Sequence, residues 1–388
     1  MNSKMIIISF LLSFSIVLNQ NIRYLDEVFD EVYKTEDVVY GNAPDLPFIF
    51  LFEWNTFDID LDMDIYEPDG DAELQRPVII FLHPGAFFSG SKESDDMVSL
   101  ANDAAKRGYV AISANYRLGL NIVSTYSGER AVYRGVQDAS ALIRYLREFH
   151  EELRIDPEKI FLWGSSAGSF ISLHLAYYDD SDRPESTYGS GNDPDLGCID
   201  CSGNNYNHSS RPTAIVSCWG AIAELDYINE DDNVPAIMFH GSLDIVVPSD
   251  SGLPFTINIT LPIVYGSSQI HNKMNIMGIE NEIFIEEGEG HEYWGSLNGN
   301  WISGQPNDYY YQILNDSFNF LYQFLDIGSN ELLGDINNDQ IVNILDIIVI
   351  VDYVINNEYI SIADINTDNI LNILDIILVV NIIIGDNI

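Results

Sequence analysis

Apolar and polar residues follow different rhythms in different parts of this chain, and each rhythm predicts an element. Phe57 to Tyr66 reads Phe-Asp-Ile-Asp-Leu-Asp-Met-Asp-Ile-Tyr. Strict alternation of this kind predicts a strand with one dry face. A short apolar piece, Phe48 to Phe52, precedes it, and Pro68-Asp69-Gly70 marks a turn after it. Pro77 to Leu82 is apolar without interruption, as expected of a strand covered on both faces in a parallel sheet. Further strands are predicted at Tyr109–Ser113, Ile160–Trp163, Ala214–Cys218, Ala236–His240 and Glu282–Glu286. Between them lie helical stretches: Asp96–Arg107, ended by Gly108, then Arg130–Leu153, then Phe170–Ala176, and finally Tyr309–Leu325. In the second of these, Val132, Val136, Ala139, Leu142, Ile143 and Leu146 form one stripe. Strands alternating with helices predict an α/β domain over residues 22–326, with a doubly wound, mostly parallel sheet. Asp179 to Arg211 has little periodicity and is rich in Gly, Asn, Asp and Ser. A loop this long is expected to be functional or disordered, and a cap could be placed there.

The chain start has a different pattern. Lys4 precedes an apolar run, Met5 to Leu18, which reads as a signal peptide over residues 1–20 with cleavage near Asn19 to Asn21. An uncleaved N-terminal anchor is the alternative. The run is too short for a comfortable membrane span, and no other stretch could cross a bilayer. The expectation is an exported bacterial protein, secreted or at the cell surface, with no transmembrane segment in the mature chain. Export permits disulfides. Of Cys198, Cys201 and Cys218, the first two sit in a Gly/Asn/Asp-rich loop, where a stapling disulfide is expected; Cys218 is either free or the partner of one of them.

The 388 residues carry a formal net charge of −43 and are 46% hydrophobic. Such a surface repels nucleic acid and anionic membranes, and neither is expected as a partner.

Candidate chemistry centres on Gly164-Ser165-Ser166-Ala167-Gly168, a turn between the strand at Ile160–Trp163 and the helix after it. Strand, turn and helix with a serine at the apex is the setting of a G-x-S-x-G nucleophile elbow, which makes Ser166 the candidate nucleophile. A serine hydroxyl needs an oriented base. Among seven histidines, His291 has the best setting, in the glycine-rich loop Gly288-Glu-Gly-His291-Glu-Tyr-Trp-Gly295. The acid should lie between them. Asp244 follows a buried strand, where α/β sheets place their catalysts, and Asp226 and Asp250 are weaker competitors. Donors for an oxyanion are expected from the N–H groups of Ala167, Gly85 and Ala86; Pro84 has none. Phe87, Phe88, Trp219, Tyr293 and Trp294 could line an acyl or aryl pocket, or be ordinary core aromatics.

His83-Pro-Gly-Ala-Phe-Phe-Ser-Gly-Ser-Lys92 resembles the HGGG-type loop of secreted α/β-hydrolase carboxylesterases, including feruloyl and acetyl-xylan esterases. Asn115-Tyr-Arg-Leu118, Gly164–Gly168, His240-Gly-Ser-Leu-Asp244 and Gly290-His291 are similar to further motifs of that group, in the same order. Pro84 stands where a glycine is usual. The resemblance spans roughly residues 60–325 and implies Ser166, Asp244 and His291 as a triad, with Gly85, Ala86 and Ala167 as the oxyanion hole.

The last 55 residues repeat at a spacing of 29. Asp335, Asn337, Asp339, Ile341, Asn343 and Asp346 match Asp364, Asn366, Asp368, Ile370, Asn372 and Asp375. Oxygen-bearing residues at positions 1, 3, 5, 9 and 12, with a backbone carbonyl at 7, have calcium-loop spacing, so these twelve residues are the candidate metal ligands. Position 12 is Asp rather than Glu, and position 6 is Gln340 or Asn369 rather than Gly; the first site is expected to be the weaker. Each loop runs into an apolar helix. The all-α module at 334–388, behind a linker at 327–333, looks like a type I dockerin, which implies structural Ca2+ and a cohesin-like scaffold partner; calcium loading without such a partner is the alternative. Altogether the sequence predicts an exported serine carboxylic-ester hydrolase that needs no catalytic cofactor and acts on polysaccharide-linked acetyl, feruloyl or related esters. A peptidase of the same fold and a catalytically silent adhesion protein are the alternatives.

Overall fold

The computed structural model describes residues 21–46, 53–121, 124, 126–255, 261–325, 334–337, 342–356, 359–360, 363–366 and 370–384. The expected leader, the Phe48–Phe52 piece, the linker, and Asp339, Ile341 and Asp368 lie outside the described residues. The chain divides into two compact units, Met1–Phe324 and Leu325–Ile388.

The first unit opens with β1 (Val32–Asp45) and β2 (Phe57–Pro68), which pair antiparallel with two register shifts. It continues with β3 (Arg76–Leu82), α1 (Asp95–Lys106), β4 (Val110–Ala114), α2 (Ser127–Glu148), a single turn α3 (His150–Leu153), β5 (Ile155–Ser165) and α4 (Ala167–Tyr177). Then come β6 (Ile215–Cys218), β7 (Ala221–Ile222), β8 (Ala236–Gly241), β9 (Ser251–Gly252), β10 (Val264–Gly266), α5 (Ser267–Met277) and β11 (Asn281–Glu286). A small β12 (Ser296–Leu297) and β13 (Asn300–Trp301) ribbon precedes α6 (Asp308–Tyr322). The main sheet has eight strands in the order β1-β2-β4-β3-β5-β6-β8-β11. The β1–β2 and β2–β4 pairs are antiparallel and the rest parallel.

Every residue of β3 is buried, as its unbroken apolar run requires of a strand covered on both faces. Val78, Ile80 and Leu82 point into one core with residues of α2 and α4. Phe81 faces the other way, against Trp163, which in turn meets Phe318 of α6. In β2 the alternation holds, with Leu61, Met63 and Ile65 buried. Asp64 on its polar face is buried as well, because Lys92 and Lys34 cover it with ion pairs of 2.6 and 2.8 Å.

Three expectations change. The long helix stops at Glu148 rather than continuing to Leu153, because a separate turn follows and Arg154 adopts a left-handed conformation. Helix α5 is absent from the sequence pattern, since Ser-Ser-Gln-Ile-His-Asn-Lys-Met-Asn-Ile-Met has only Ser267, Ile270 and Met274 buried and carries a weak stripe. The 179–211 loop is strapped down. Arg130 donates to the carbonyls of Ser186 and Pro194 at 2.6 and 2.8 Å, Gln137 to Leu196 at 2.7 Å, and Arg144 to Ser202 at 2.8 Å. Arg211 donates to Ala176 O at 2.5 Å from its end of the loop. A Cys198–Cys201 disulfide staples its middle, and Cys218 is a buried free thiol. Such backbone carbonyls would otherwise go unpaired, and these donors supply the order that periodicity does not.

The second unit holds α7 (Ile344–Asn356) and α8 (Ile373–Ile384). Its core is small: Ile336, Ile350, Ala363, Ile365 and Val379.

Candidate active site

Strand β5 runs into α4 through a turn with no room for a side chain at either flanking glycine. A Cβ at Gly168 would stand 2.0 Å from the carbonyl oxygen of Leu82, and one at Gly164 would stand 2.3 Å from the backbone of Gly168 and Ser169. Ser166 sits between them at φ 51°, ψ −112°, a strained conformation for a residue with a Cβ. Its N–H donates to Cys218 O at 3.0 Å. The neighbouring serine does different work: Ser165 Oγ accepts from the indole of Trp219 at 3.0 Å and is fully buried. The register therefore presents Ser166.

His291 Nε2 lies 2.9 Å from Ser166 Oγ, and His291 Nδ1 lies 2.6 Å from Asp244 Oδ2. The other oxygen, Asp244 Oδ1, accepts from the N–H groups of Val246 and Val247 at 2.8 and 2.9 Å. Burial pushes the Asp244 carboxyl up, but hydrogen bonds from His240 and His291 outweigh it and hold the group well below the ordinary carboxylate range. The acid thus remains ionised beside its histidine. Asp226 and Asp250 stay apart from this chain of bonds: Asp226 pairs with Lys273, and Asp250 accepts from Gln269.

The His83–Lys92 loop stands beside the serine. Ala86 and Ala167 both line the cleft at Ser166, and Gly85 lies one residue back at φ 122°, its carbonyl accepting from Phe88 and Ser89 N–H at 2.9 and 3.0 Å. His83 fixes the turn: its Nδ1–H donates to Pro84 O at 2.7 Å, and its ring stacks on Tyr116 at 4.2 Å. Tyr116 hydroxyl donates in turn to His83 O at 2.7 Å. Burial lowers the His83 imidazole to about 4.

The cleft above Ser166 spans about 790 Å³, open solvent at its mouth included. Its floor follows one face of α4, with Ala167, Phe170, His174 and then Tyr178 at intervals of three and four residues. The lining is apolar apart from a few groups, and among the described residues Glu129 is its one carboxylate. Glu129 Oε2 accepts from Ser186 Oγ at 2.7 Å, tying the cleft to the strapped loop. Of the five aromatics named from sequence, Phe87 lines this cleft. Phe88 is largely exposed. Trp219, Tyr293 and Trp294 stack behind the histidine, with Trp219 edge-on to His291 at 6.2 Å, to Tyr293 at 5.2 Å and to Trp294 at 4.6 Å.

A BD-FAE family model matches residues 63–225. Carboxylesterase 3B of Mus musculus is 32% identical over 117 residues, 30% of this chain and 20% of that protein. The para-nitrobenzyl esterase of Bacillus subtilis is 27% identical over 109 residues, 27% of this chain and 22% of that protein. The chain thus spans about a fifth of the length of these curated relatives. The structure of Thermogutta terrifontis esterase 2 phosphorylated by paraoxon is similar at a TM-score of 0.50 and 22% identity, covering 77% of this chain and 95% of that one. The fold is that of an α/β-hydrolase. The matched family span contains the His83–Lys92 loop and Ser166, whereas Asp244 and His291 lie beyond it and are joined to Ser166 by the bonds above. One residue beside His291 carries no sequence signal of its own. Glu292, next to His291, is buried at φ 50° and takes Ser296 Oγ, Gly299 N–H and Asn298 N–H at 2.6, 3.0 and 3.1 Å. It shapes the turn that aims His291. A positive φ and three loop donors are tertiary facts that a Glu after a His does not announce.

In the C-terminal unit, Asp346 is fully buried; its Oδ1 accepts from Ile336 and Asn337 N–H at 2.8 and 3.1 Å, and its Oδ2 from Asn343 N–H at 2.7 Å. Asp375 repeats the pattern with Asn366 and Asn372 N–H at 3.4 and 2.9 Å. Asn343 and Asn372 each cap the following helix, accepting from Leu345 and Leu374 N–H at 2.8 and 2.9 Å. Asp335 and Asp364 are buried, and Ile370 is exposed. Among the described residues no cluster of three metal-ligating His, Cys, Asp or Glu side chains is assembled.

Proposed function

We propose that the chain is a serine carboxylic-ester hydrolase. The observation that carries this reading is the hydrogen-bonded chain Ser166–His291–Asp244 at the mouth of an apolar cleft. Ser166 Oγ attacks the ester carbonyl while His291 Nε2 takes its proton. Asp244 holds His291 Nδ1–H and supports the imidazolium that forms. N–H groups of Ala167 and of the Gly85–Ala86 turn donate to the oxyanion. His291 passes the proton to the departing alcohol, leaving an acyl-enzyme. Water, deprotonated by the same nitrogen, then releases the acid and restores Ser166. Hydrolysis of p-nitrophenyl esters should fall by about 10⁴- to 10⁶-fold in Ser166→Ala. A variant that keeps its rate would sink the reading.

Within the ester class, acyl groups of hydroxycinnamoyl type, such as feruloyl on polysaccharide, fit better than acetyl. The α4 floor from Ala167 to Tyr178 runs about 16 Å at 1.5 Å per residue, longer than an acetyl group needs. Glu129 near its far end is an acceptor suited to a phenolic hydroxyl. A panel of acetyl, feruloyl and 4-methoxycinnamoyl esters tests this: the feruloyl ester should lead, and a lead for acetyl would remove it.

The C-terminal repeat supports structural calcium. Its donor set is oxygen throughout, the chemistry of a hard cation, and residues 334–388 contain no Lys, Arg or His to offset the buried carboxylates. Asp335, Asn337, Asp339, Ile341, Asn343 and Asp346, and their counterparts from Asp364 to Asp375, would hold the ions. Bound there, calcium would neutralise the loops and order them, taking no part in ester cleavage. Attachment to a cohesin-like scaffold outside the cell would be the module's use.

A further inference from the structure

We infer that His240 is a positioning residue for the triad acid, making the chain of contacts four groups long: Ser166, His291, Asp244, His240. This rests on the hydrolase reading above. His240 is the penultimate residue of β8, four residues ahead of Asp244, and is fully buried. Its Nε2 faces two acceptors, Val247 O at 3.0 Å and Asp244 Oδ2 at 3.3 Å. Its Nδ1 lies 2.9 Å from Ser267 Oγ, the first residue of α5. A nitrogen facing only a carbonyl and a carboxylate must carry hydrogen, so in the neutral ring the proton is on Nε2 and the Ser267 hydroxyl donates to Nδ1. One N–H is then shared between the carboxylate and the carbonyl of Val247.

The arrangement has two consequences for the reaction. Asp244 Oδ2 is the same oxygen that receives His291 Nδ1–H at 2.6 Å, while Oδ1 is taken by Val246 and Val247 N–H. His240 therefore grips both the carboxylate and the segment that grips its other oxygen, so the carboxylate plane is fixed with Oδ2 toward His291. The second consequence is electronic. A donor on Oδ2 withdraws charge from the carboxylate and tempers its support of the His291 imidazolium. The titratable groups that bond this carboxylate are the two imidazoles, one from β8 and one from the loop after β11; α5 contributes only the neutral Ser267. A buried histidine at a strand end would fill space equally well with its nitrogens spent on backbone carbonyls. Here one nitrogen reaches the catalytic acid.

The test is the pH profile of kcat/KM for a p-nitrophenyl ester, with active sites counted by a fluorophosphonate probe. His240→Phe keeps ring shape and removes the donor. Per labelled site, kcat should fall about tenfold, the worth of one hydrogen bond. KM should change little, and the acid limb should move to higher pH by roughly half a unit to one unit, because an untempered Asp244 favours protonated His291. His240→Gln, whose amide N–H reaches the Nε2 position, should return the limb toward the wild-type value. Ser267→Ala, which removes only the hydroxyl behind Nδ1, should move it in the same direction by less and stands in if His240→Phe does not fold. A limb that stays in place in the folded variants overturns the inference, as does a loss that vanishes when rates are divided by labelled sites. A wild type that is neither labelled nor active would remove the hydrolase reading, and this one with it. A labelled, active wild type whose limb ignores these substitutions removes only the role of His240.

Discussion

Both units bury carboxylates, and they do so in opposite ways. In the first, Asp138, Asp64 and Asp244 have a cation or an imidazole beside them, whereas Glu292 is held by a hydroxyl and two backbone N–H groups. Asp138 is fully buried against Arg117, which reaches it at 2.7 Å and also binds it through the side-chain Nε–H and its own backbone N–H. Asp64 lies between two lysines and Asp244 between two histidines. In the C-terminal unit, Asp346 and Asp375 have backbone N–H groups for partners, and no basic side chain exists between residues 334 and 388. Amide donors satisfy hydrogen bonding without cancelling charge. Asp138, Asp64 and Asp244 are thus matched by protein groups of opposite or titratable charge, whereas the carboxylates of the second unit have the chemistry of a structure finished by something added.

The largest expected effect comes from undoing that completeness. Arg117→Met should destabilise the first unit by about 3–5 kcal/mol, because it leaves Asp138 charged and buried. It also releases the carbonyl of Pro44 and the hydroxyl of Ser202, both held by the same guanidinium. Chemical denaturation reads this directly. A loss below 1 kcal/mol would mean that the pair is no stronger than a surface one, and the contrast between units would weaken.

Acid should separate the units next. Burial lowers His83 and His174 to about 4 from the ordinary 6.5, so the unfolded chain binds more protons than the native one between those values. Stability is therefore full above pH 6.5 and is lost as pH falls toward 4, by about 2 kcal/mol per histidine at pH 5. The C-terminal unit has no histidine. Thermal unfolding at pH 7 and pH 5 should show the first transition falling and the second unmoved; a parallel fall in both would break the distinction.

The parts of this molecule that were legible in sequence are those made by neighbours along the chain. The elbow is local, and its glycines announce the clash they avoid. Strands β3, β4, β6 and β8 are recognisable as buried runs, while β11 at the sheet edge has no buried residue; Asp244 and His291 follow from standing just past strand ends in the expected order. What sequence did not disclose was built from residues far apart. Helix α2 throws Arg130, Gln137 and Arg144 onto carbonyls some sixty positions away, turning a featureless loop into an ordered wall. The cleft floor is a face of α4, which is buried almost all round and carries no clear apolar stripe, so nothing distinguishes Phe170 and His174 from core. Trp219, Tyr293 and Trp294 have the same composition as a pocket and instead pack behind His291, a difference that only direction reveals.

Calcium tests the other half of the contrast. At ten times the dissociation constant, a ligand that binds only the folded form adds about 1.4 kcal/mol per site. Calcium should thus raise the C-terminal transition of the full chain by that order, and EDTA should reverse it. Ester hydrolysis should be the same in both, since no oxygen cluster adjoins Ser166 among the described residues. Activity that follows calcium would overturn the division of labour, and a C-terminal transition blind to calcium would remove the proposed ligand set.

The smallest effect is the most discriminating. Asn343 Oδ1 accepts from Leu345 N–H and so caps α7, yet the same residue holds position 9 of the proposed calcium loop. The two roles predict different numbers. As a cap alone, Asn343→Ala should cost about 1 kcal/mol whether or not calcium is present. As a ligand too, directly or through water, it should cost that much in EDTA and more with calcium, because part of the binding energy goes with it. Asn372→Ala runs the same comparison on the second repeat. There, Asn369 at position 6 tolerates the loop's turn better than Gln340 does, so the calcium-dependent part should be larger. Equal losses in both media would leave the asparagines as caps and place the finishing charge elsewhere in the loops.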